Sequence, residues 1–180
     1  MRKDTNYPSE WQRTTFEDVA HYINGYAFKP EDWGSVGLPI IRIAQINNPE
    51  TDHDYYGGPI ADDYVIEDGD LLFSWSATLT TLIWNRGPAL LNQHIFKVIP
   101  QEGVDLHFLH HLIDYKIEDL ARQSHGSTMK HIKKSDLLPF PLVIPPLPEQ
   151  RRIAEILDAA DAAIRETERV IAKLREVKQG

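Results

Sequence analysis

The stretch from Arg122 to Ser135 carries four Lys or Arg side chains and no acid. Such a segment can neutralise phosphates: Arg122, Lys130, Lys133 and Lys134 would displace counterions from a nucleic-acid backbone. Ser127, Thr128 and His131 would add hydrogen-bond donors, and Gly126 permits a tight loop. Arg42, alone inside the apolar run Leu38–Ile46, is a second candidate for a DNA contact. Two other groups bear on metal chemistry. His107 and His111 lie four residues apart with His110 beside them, a spacing that can hold zinc, but no Glu stands where a zinc hydrolase needs one. Glu50, Asp52 and Asp54 with His53 lack the spacing of a ligand loop and read as solvated acids. No metal site is expected.

Nothing else in the chain reads as reactive. There is no cysteine, hence no thiol nucleophile and no cysteine-based zinc site. A phosphate-binding glycine loop, an Asn-Pro-Pro-aromatic motif of adenine methyltransferases and a Gly-x-Ser-x-Gly elbow are all missing. Asp62 and Asp63 have no visible partners. Catalysis by this chain alone is not expected. The net charge of −8 sits in one segment: eight acids and no Lys or Arg lie between Ile43 and Asn85. Bulk charge therefore argues little for or against nucleic acid. No apolar run has the length of a membrane span, and the polar start Met1-Arg2-Lys3-Asp4 is not a signal peptide. A soluble cytoplasmic protein is expected.

The elements that must position these residues can be read in part. At 180 residues, 42% of them hydrophobic, the chain can hold one domain plus an appendage. Thr14 and Glu17 have capping-box spacing. Phe16, Val19, Ala20 and Ile23 then share a helical face, with Gly25 placed as a positive-φ terminator. Leu38–Ile46 reads as a buried strand and Asn47–Pro59 as a loop. Tyr64–Glu67 and Leu71–Trp75 around Asp68-Gly69-Asp70 read as a hairpin. Leu79–Trp84 and Leu90–Ile99 follow as strands. Asp105 is the predicted N-cap of a helix with Leu106, Leu109, Leu112, Ile113, Ile117 and Leu120 on one face. Phe140–Ile144 is a last strand.

A proline cluster then launches a long helix. Pro148 suits its first turn, and Glu149 meets the positive end of the dipole. Ile153, Leu157, Ala160, Ile164, Thr167, Ile171 and Leu174 follow at alternating spacings of four and three, a heptad seam. From Glu149 to Lys178 seven acids and seven bases cover the other faces. About 30 such residues span about 45 Å. A stripe this long predicts a second helix as partner.

Pro145-Pro146-Leu147-Pro148-Glu149-Gln150, continuing through Arg151 to Leu157, resembles the segment that closes a target-recognition domain in the specificity (S) subunits of type I restriction–modification enzymes. Gly69–Ser74, Asn92–Val98 and Gly126–Ile132 resemble internal blocks of the same domain. One departure is Ser76-Ala77-Thr78-Leu79-Thr80, where many relatives carry a glycine. The resemblance implies an α+β, mixed-sheet recognition domain with short helices (residues 1–146), followed by a coiled-coil-forming spacer helix (147–180). It implies a non-catalytic subunit that directs methyltransferase (M) and restriction (R) subunits to one half of a bipartite site on double-stranded DNA. S-adenosylmethionine would belong to the M subunit, and this chain would hold no cofactor. One domain and one helix, where S subunits of the family have two of each, fit either a natural half-subunit or a fragment of a longer S subunit. For a half-subunit the resemblance implies a homodimer joined by antiparallel pairing through Ile153, Leu157, Ala160, Ile164, Thr167, Ile171 and Leu174. The initial Met favours a natural start. An interaction protein that pairs through its helix without binding DNA is the alternative.

Overall fold

The computed structural model of the chain describes residues 7–123 and 132–179. Tyr7 stacks on Trp11 and leads into β1 (Gln12–Thr15). The helix expected next is a single turn, α1 (Phe16–Val19), and its cap is one residue later than the spacing suggested. Thr15, not Thr14, is the N-cap, and Asp18, not Glu17, returns the bond to its backbone N–H. The Thr15 hydroxyl, which also donates to the exposed Asp18 carboxyl, holds it below its usual range, with the backbone bond adding to the effect. Ala20 is already extended, and β2 (Ala20–Asn24) takes over the residues expected to continue the helix. Pairing of β2 along its whole length with a later strand outweighs a local helical preference. Gly25 is not left-handed. It is needed because a Cβ there would sit 2.3 Å from the carbonyl oxygens of Leu91 and Asn92.

The expected strand 38–46 is divided. β3 (Leu38–Ile41) stops at Arg42, and α2 (Ile43–Asn47) follows. Gln45 turns the chain: its Oε1 accepts from the Arg42 N–H, its Nε2 donates to the Asp52 carbonyl, and it is buried. β4 (Tyr55–Tyr56), β5 (Val65–Ile66), β6 (Leu71–Ser74), β7 (Thr80–Ile83), β8 (Ala89–Leu91) and β9 (Ile95–Pro100) come next. They build two four-stranded sheets, ordered β2-β9-β6-β7 and β4-β3-β8-β5. The first is antiparallel throughout; the second is mixed, because β3 and β8 run parallel.

Two expectations fail for one reason. The turn Asp68-Gly69-Asp70 exists, with Gly69 left-handed at φ 98°, but β5 and β6 do not pair across it. β5 joins β8 in one sheet, and β6 joins β7 and β9 in the other. The turn's backbone is taken up by Trp84 instead: the Gly69 N–H donates to its carbonyl and its N–H donates to the Asp70 carbonyl. Likewise Leu90–Ile99 is two strands, β8 and β9, parted at Asn92-Gln93-His94. The chain crosses between sheets at both places, and Lys97 on β9 clamps the first crossing through Asp70 and the Val65 carbonyl.

α3 (Leu106–Gln123) lies over the first sheet, its N-terminus capped as expected by Asp105, whose Oδ1 accepts from the Phe108 N–H. Phe16, Phe73, Phe96, Leu109 and Ile113 form the largest core between them. α4 (Lys134–Leu137) is one turn, and β10 (Pro141–Ile144) pairs antiparallel with β1, bringing the two ends of the domain together. α5 (Leu147–Gln179) runs 33 residues, about 50 Å. Ala154 and Gln150 are buried against the domain, and from Ile164 onward the helix is exposed on every face.

The turn opening α5 accounts for its sequence. The Gln150 Oε1 accepts from the Asp105 N–H at 2.9 Å, and its Nε2 donates to the carbonyls of Pro145 and Gly103. Glu149 accepts from the Trp11 indole N–H at 3.2 Å. The amide thus ties the start of α5 to the loop that caps α3, and the carboxylate ties it to the start of the chain.

Candidate nucleic-acid interface

Three turns meet at one end of the first sheet. The β6–β7 turn (residues 75–79) is tied to the turn between β8 and β9 by the Trp75 N–H, which donates to the His94 carbonyl. It is tied to the chain entering α4 by the Ile132 N–H, which donates to the Trp75 carbonyl at 2.9 Å. Asn47, ending α2, donates to the Thr78 hydroxyl at 3.0 Å. The N–H groups of Asn92 and Gln93 are fixed on the carbonyls of Ile41 and Tyr26, leaving the Gln93 side chain exposed on a rigid backbone. The end of the block Gly69–Ser74, the start of the block Asn92–Val98 and Ile132, the described residue of the block Gly126–Ile132, therefore lie at one place. Asn47, Thr78 and Gln93 there are amides and a hydroxyl, groups able to donate to and accept from base edges or phosphates. The sequence singled out neither Asn47 nor Gln93. An exposed amide gives no local signal; only the meeting of the turns marks them.

Ala77 at the tip of the β6–β7 turn is left-handed, φ 58°. This is the stretch that lacks the expected glycine. A Cβ in that conformation costs about 1 kcal/mol or more. Ala77→Gly should therefore stabilise the domain by roughly 0.5–1 kcal/mol, after allowance for the freer unfolded chain. A higher urea midpoint at unchanged slope is the expected reading, and a lower midpoint would count against it.

The basic residues are divided in their surroundings. Ser127, Thr128, Lys130 and His131 lie outside the described residues. Arg122, near the end of α3, is paired with Asp119 and donates to the Glu118 carbonyl. Lys134 donates to the Tyr22 carbonyl at 2.7 Å, so it also holds α4 to β2. Lys133 precedes α4, is exposed, and its ammonium has no partner among the described residues. Arg42 is held on the second sheet by Asp54 at 2.7 Å and lies over the Trp33 ring. Its charge is locally balanced, a setting in which a phosphate would have to compete with Asp54.

The histidines of α3 serve the helix junction. His107 and His111 grip the two oxygens of Asp158 on α5 at 2.7 and 2.8 Å. His110 shares a 2.8 Å hydrogen bond with the Thr81 hydroxyl on β7. Burial pushes the Asp158 carboxyl up, but the hydrogen bonds and charges of His111 and His107 outweigh it, and the net shift is down. Burial, aided by His111, pushes the His110 imidazole below its ordinary 6.5. A base depressed by folding contributes stability above its unfolded value and loses it as pH falls toward the folded one. Thermal stability should thus fall as the solution is acidified from neutral through pH 6.5, and His110→Gln should flatten that fall. The Asp158 contribution goes only below its ordinary 3.8. Melting curves of both proteins across this range check the assignment; parallel curves would remove His110 from it.

Comparison with known proteins places the fold. A family model described as the type I restriction modification DNA specificity domain matches residues 8–176, and the chain belongs to that family. It is 32% identical over 172 residues to the EcoBI specificity subunit of Escherichia coli, covering 94% of this chain and 35% of the relative. It is 23% identical over 182 residues to the MjaVIII specificity subunit of Methanocaldococcus jannaschii, covering 96% of this chain and 41% of that one. The chain thus spans between a third and a half of these curated relatives. Among solved structures, the HsdS subunit from Thermoanaerobacter tengcongensis superposes with a TM-score of 0.73 at 22% identity, over 93% of this chain and 41% of that one. A chain from a study of complex assembly and conformational transition in the type I R-M system gives 0.75 at 22% identity, over 96% and 44%. These neighbours share the α+β architecture with its mixed sheet and long terminal helix.

Proposed function

We propose that this chain is a non-catalytic DNA-recognition subunit of a type I restriction–modification system. Residues 1–146 read one half of a bipartite duplex target, and residues 147–180 join copies and dock partner subunits. The observation that carries the reading is the meeting of the β6–β7 turn, the β8–β9 turn and the chain at Ile132 at one end of the sheet, with Gln93, Thr78 and Lys133 around it. S-adenosylmethionine and the methyl-transfer chemistry belong to M subunits, and cleavage to an R subunit. The complex works in the cytoplasm, where its DNA is; among the described residues no helix is long and apolar enough to cross a membrane. Two copies pair through their α5 helices, so the methylated target is an interrupted palindrome.

The test uses the chain together with its M subunit on duplex DNA. Lys130→Ala with Lys133→Ala should weaken binding alike on all sequences and flatten the salt dependence by about two units of slope. Lys134→Ala is unsuitable because that residue also holds Tyr22. The chain alone should transfer no labelled methyl group, and methylation should appear only with the M subunit. Methyl transfer by the chain alone would overturn the reading. Absence of DNA binding with the M subunit present would favour a plain helix-mediated interaction protein.

A further inference from the structure

Arg42 stands where two strands end together. β3 and β8 run parallel, Ile40 beside Leu90 and Ile41 beside Leu91, and the Asn92 N–H donates to the Ile41 carbonyl at 3.0 Å. Arg42 therefore leaves the sheet next to the turn that carries Gln93. Its backbone is still extended and is fixed on both sides: its N–H donates to the Gln45 Oε1, and its carbonyl accepts from the N–H groups of Gln45 and Ile46. By the two-residue alternation of a strand its side chain takes the face of Ile40, and there it meets Trp33 and Asp54.

Those two partners are held by one exchange. Gly34 and Tyr55 trade both N–H···O bonds, at 2.9 and 3.0 Å, which ties the chain carrying the Trp33 ring to the chain carrying the Asp54 carboxylate. The Asp54 carbonyl also accepts from the Ile40 N–H at 2.8 Å, so Asp54 is anchored to β3 itself. The guanidinium lies over the ring, 4.9 Å from its centroid, and its Nη1 donates to Asp54 at 2.7 Å. That uses one end of a planar fork. The donors of the other edge, Nε and Nη2, have no partner among the described residues, and Nη2 is buried. A dry donor with no acceptor is costly, and an acceptor from outside relieves it.

We infer that Arg42 reads a guanine in the major groove of the target, with Trp33 and Asp54 as its positioning residues. The inference rests on the recognition role proposed above and adds a specificity-determining residue and the base it selects. Two parallel donors on one edge match the N7 and O6 acceptors of guanine, a pair that no other base presents there. Charge decides against phosphate. Asp54 cancels the charge of Arg42, and its carboxylate repels an anion, whereas a guanine edge is neutral. A guanidinium already held in place also loses little freedom on binding. The side chain is 26% exposed, so a small outward turn about the Asp54 bond presents both donors. Position agrees: Arg42 lies outside every stretch that resembles the family's shared blocks, as a residue tied to one particular target should.

The test uses the chain with its M subunit. Mapping of methylated adenines gives the target, and the half-site should contain a G·C pair. Each base pair of the half-site is then replaced in turn, and binding is compared for wild type and two variants. Arg42→Lys keeps the charge and the Asp54 partner but lacks the fork. It should bind the wild-type target about tenfold or more weaker, lose its preference at one G·C pair only, and keep its salt slope. Asp54→Asn leaves Arg42 in place and uncovers its charge. Binding to all sequences should then tighten, the salt slope should steepen by about one unit, and the preference at that same pair should fall. A half-site of A·T pairs alone, or an Arg42→Lys protein with unchanged preferences at every position, overturns the guanine contact. So does an Arg42→Ala protein whose binding falls alike on all sequences with a slope flatter by about one unit, which marks a phosphate contact. These results leave the recognition reading standing. A wild-type chain that binds no DNA in the presence of its M subunit overturns both.

Discussion

Replacing Ile164 and Ile171 by Asp should convert the protein into a folded monomer that no longer supports M-subunit-dependent methylation. In the single chain Ile164 is 55% exposed and Ile171 43%, and neither touches the core of the domain. The substitutions therefore remove nothing that the monomer uses, so the variant should stay folded, with a melting temperature lower only by what pairing adds to wild type and independent of protein concentration. In a two-fold pair the same two positions recur, so four isoleucines lose their burial. Each is worth roughly 1.5–3 kcal/mol, and each incoming carboxylate adds a desolvation cost. A total above about 6 kcal/mol weakens association by more than about four orders of magnitude. Sedimentation of both proteins at high concentration measures this directly. A double variant that still sediments as a dimer would place the contact off the seam.

Gln150→Leu should destabilise the domain by roughly 2–4 kcal/mol, although it replaces a buried polar side chain with an apolar one of similar size. Gln150 is 1% exposed and closes three hydrogen bonds, from the Asp105 N–H and to the carbonyls of Gly103 and Pro145. Removing the amide strands three backbone groups at once, each costing about 1–3 kcal/mol where water cannot replace it. The melting temperature should fall by about 5–15 °C. Gln150→Glu should be worse, because it buries a charge and loses both amide donations. A Gln150→Leu protein that melts with wild type would mean that water fills the junction freely. The loss is one of rigidity as well as stability, since the same amide fixes the angle at which α5 leaves the domain.

Some of this was legible in the residues alone. The heptad seam, the launching prolines and the Asp105 cap are local patterns whose chemistry does not depend on what lies elsewhere, and α5 and α3 begin where those patterns put them. The blocks of the recognition domain were legible by resemblance. The strands were legible as apolar segments, but their partners were not. Asp68-Gly69-Asp70 makes a turn in either fold; whether β5 and β6 pair across it depends on Trp84, which takes up the turn's backbone, and on β8 and β9, which pair with β5 and β6 in separate sheets. Residues 20–24 could follow a helical face or a strand, and only β9 decides between them. Gly25 looked like a helix terminator and is instead a point of close backbone approach to Leu91 and Asn92.

The site divides in the same way. Sequence could find charge, as at Lys133, because an acid-free basic run is a property of neighbours along the chain. It could not tell that Arg42 is matched by Asp54, that Lys134 holds Tyr22, or that His107 and His111 grip Asp158 rather than stand free. Nor could it gather Asn47, Thr78 and Gln93, which come from the end of α2 and from the β6–β7 and β8–β9 turns. Local pattern determines where a helix starts and which face is apolar, since those depend on residues within a turn or two. Which polar groups are spent on the fold and which remain for a ligand is a question of long-range pairing. Only the tertiary structure decides it, because each hydrogen bond made inside the protein removes a donor or acceptor that a partner could have used.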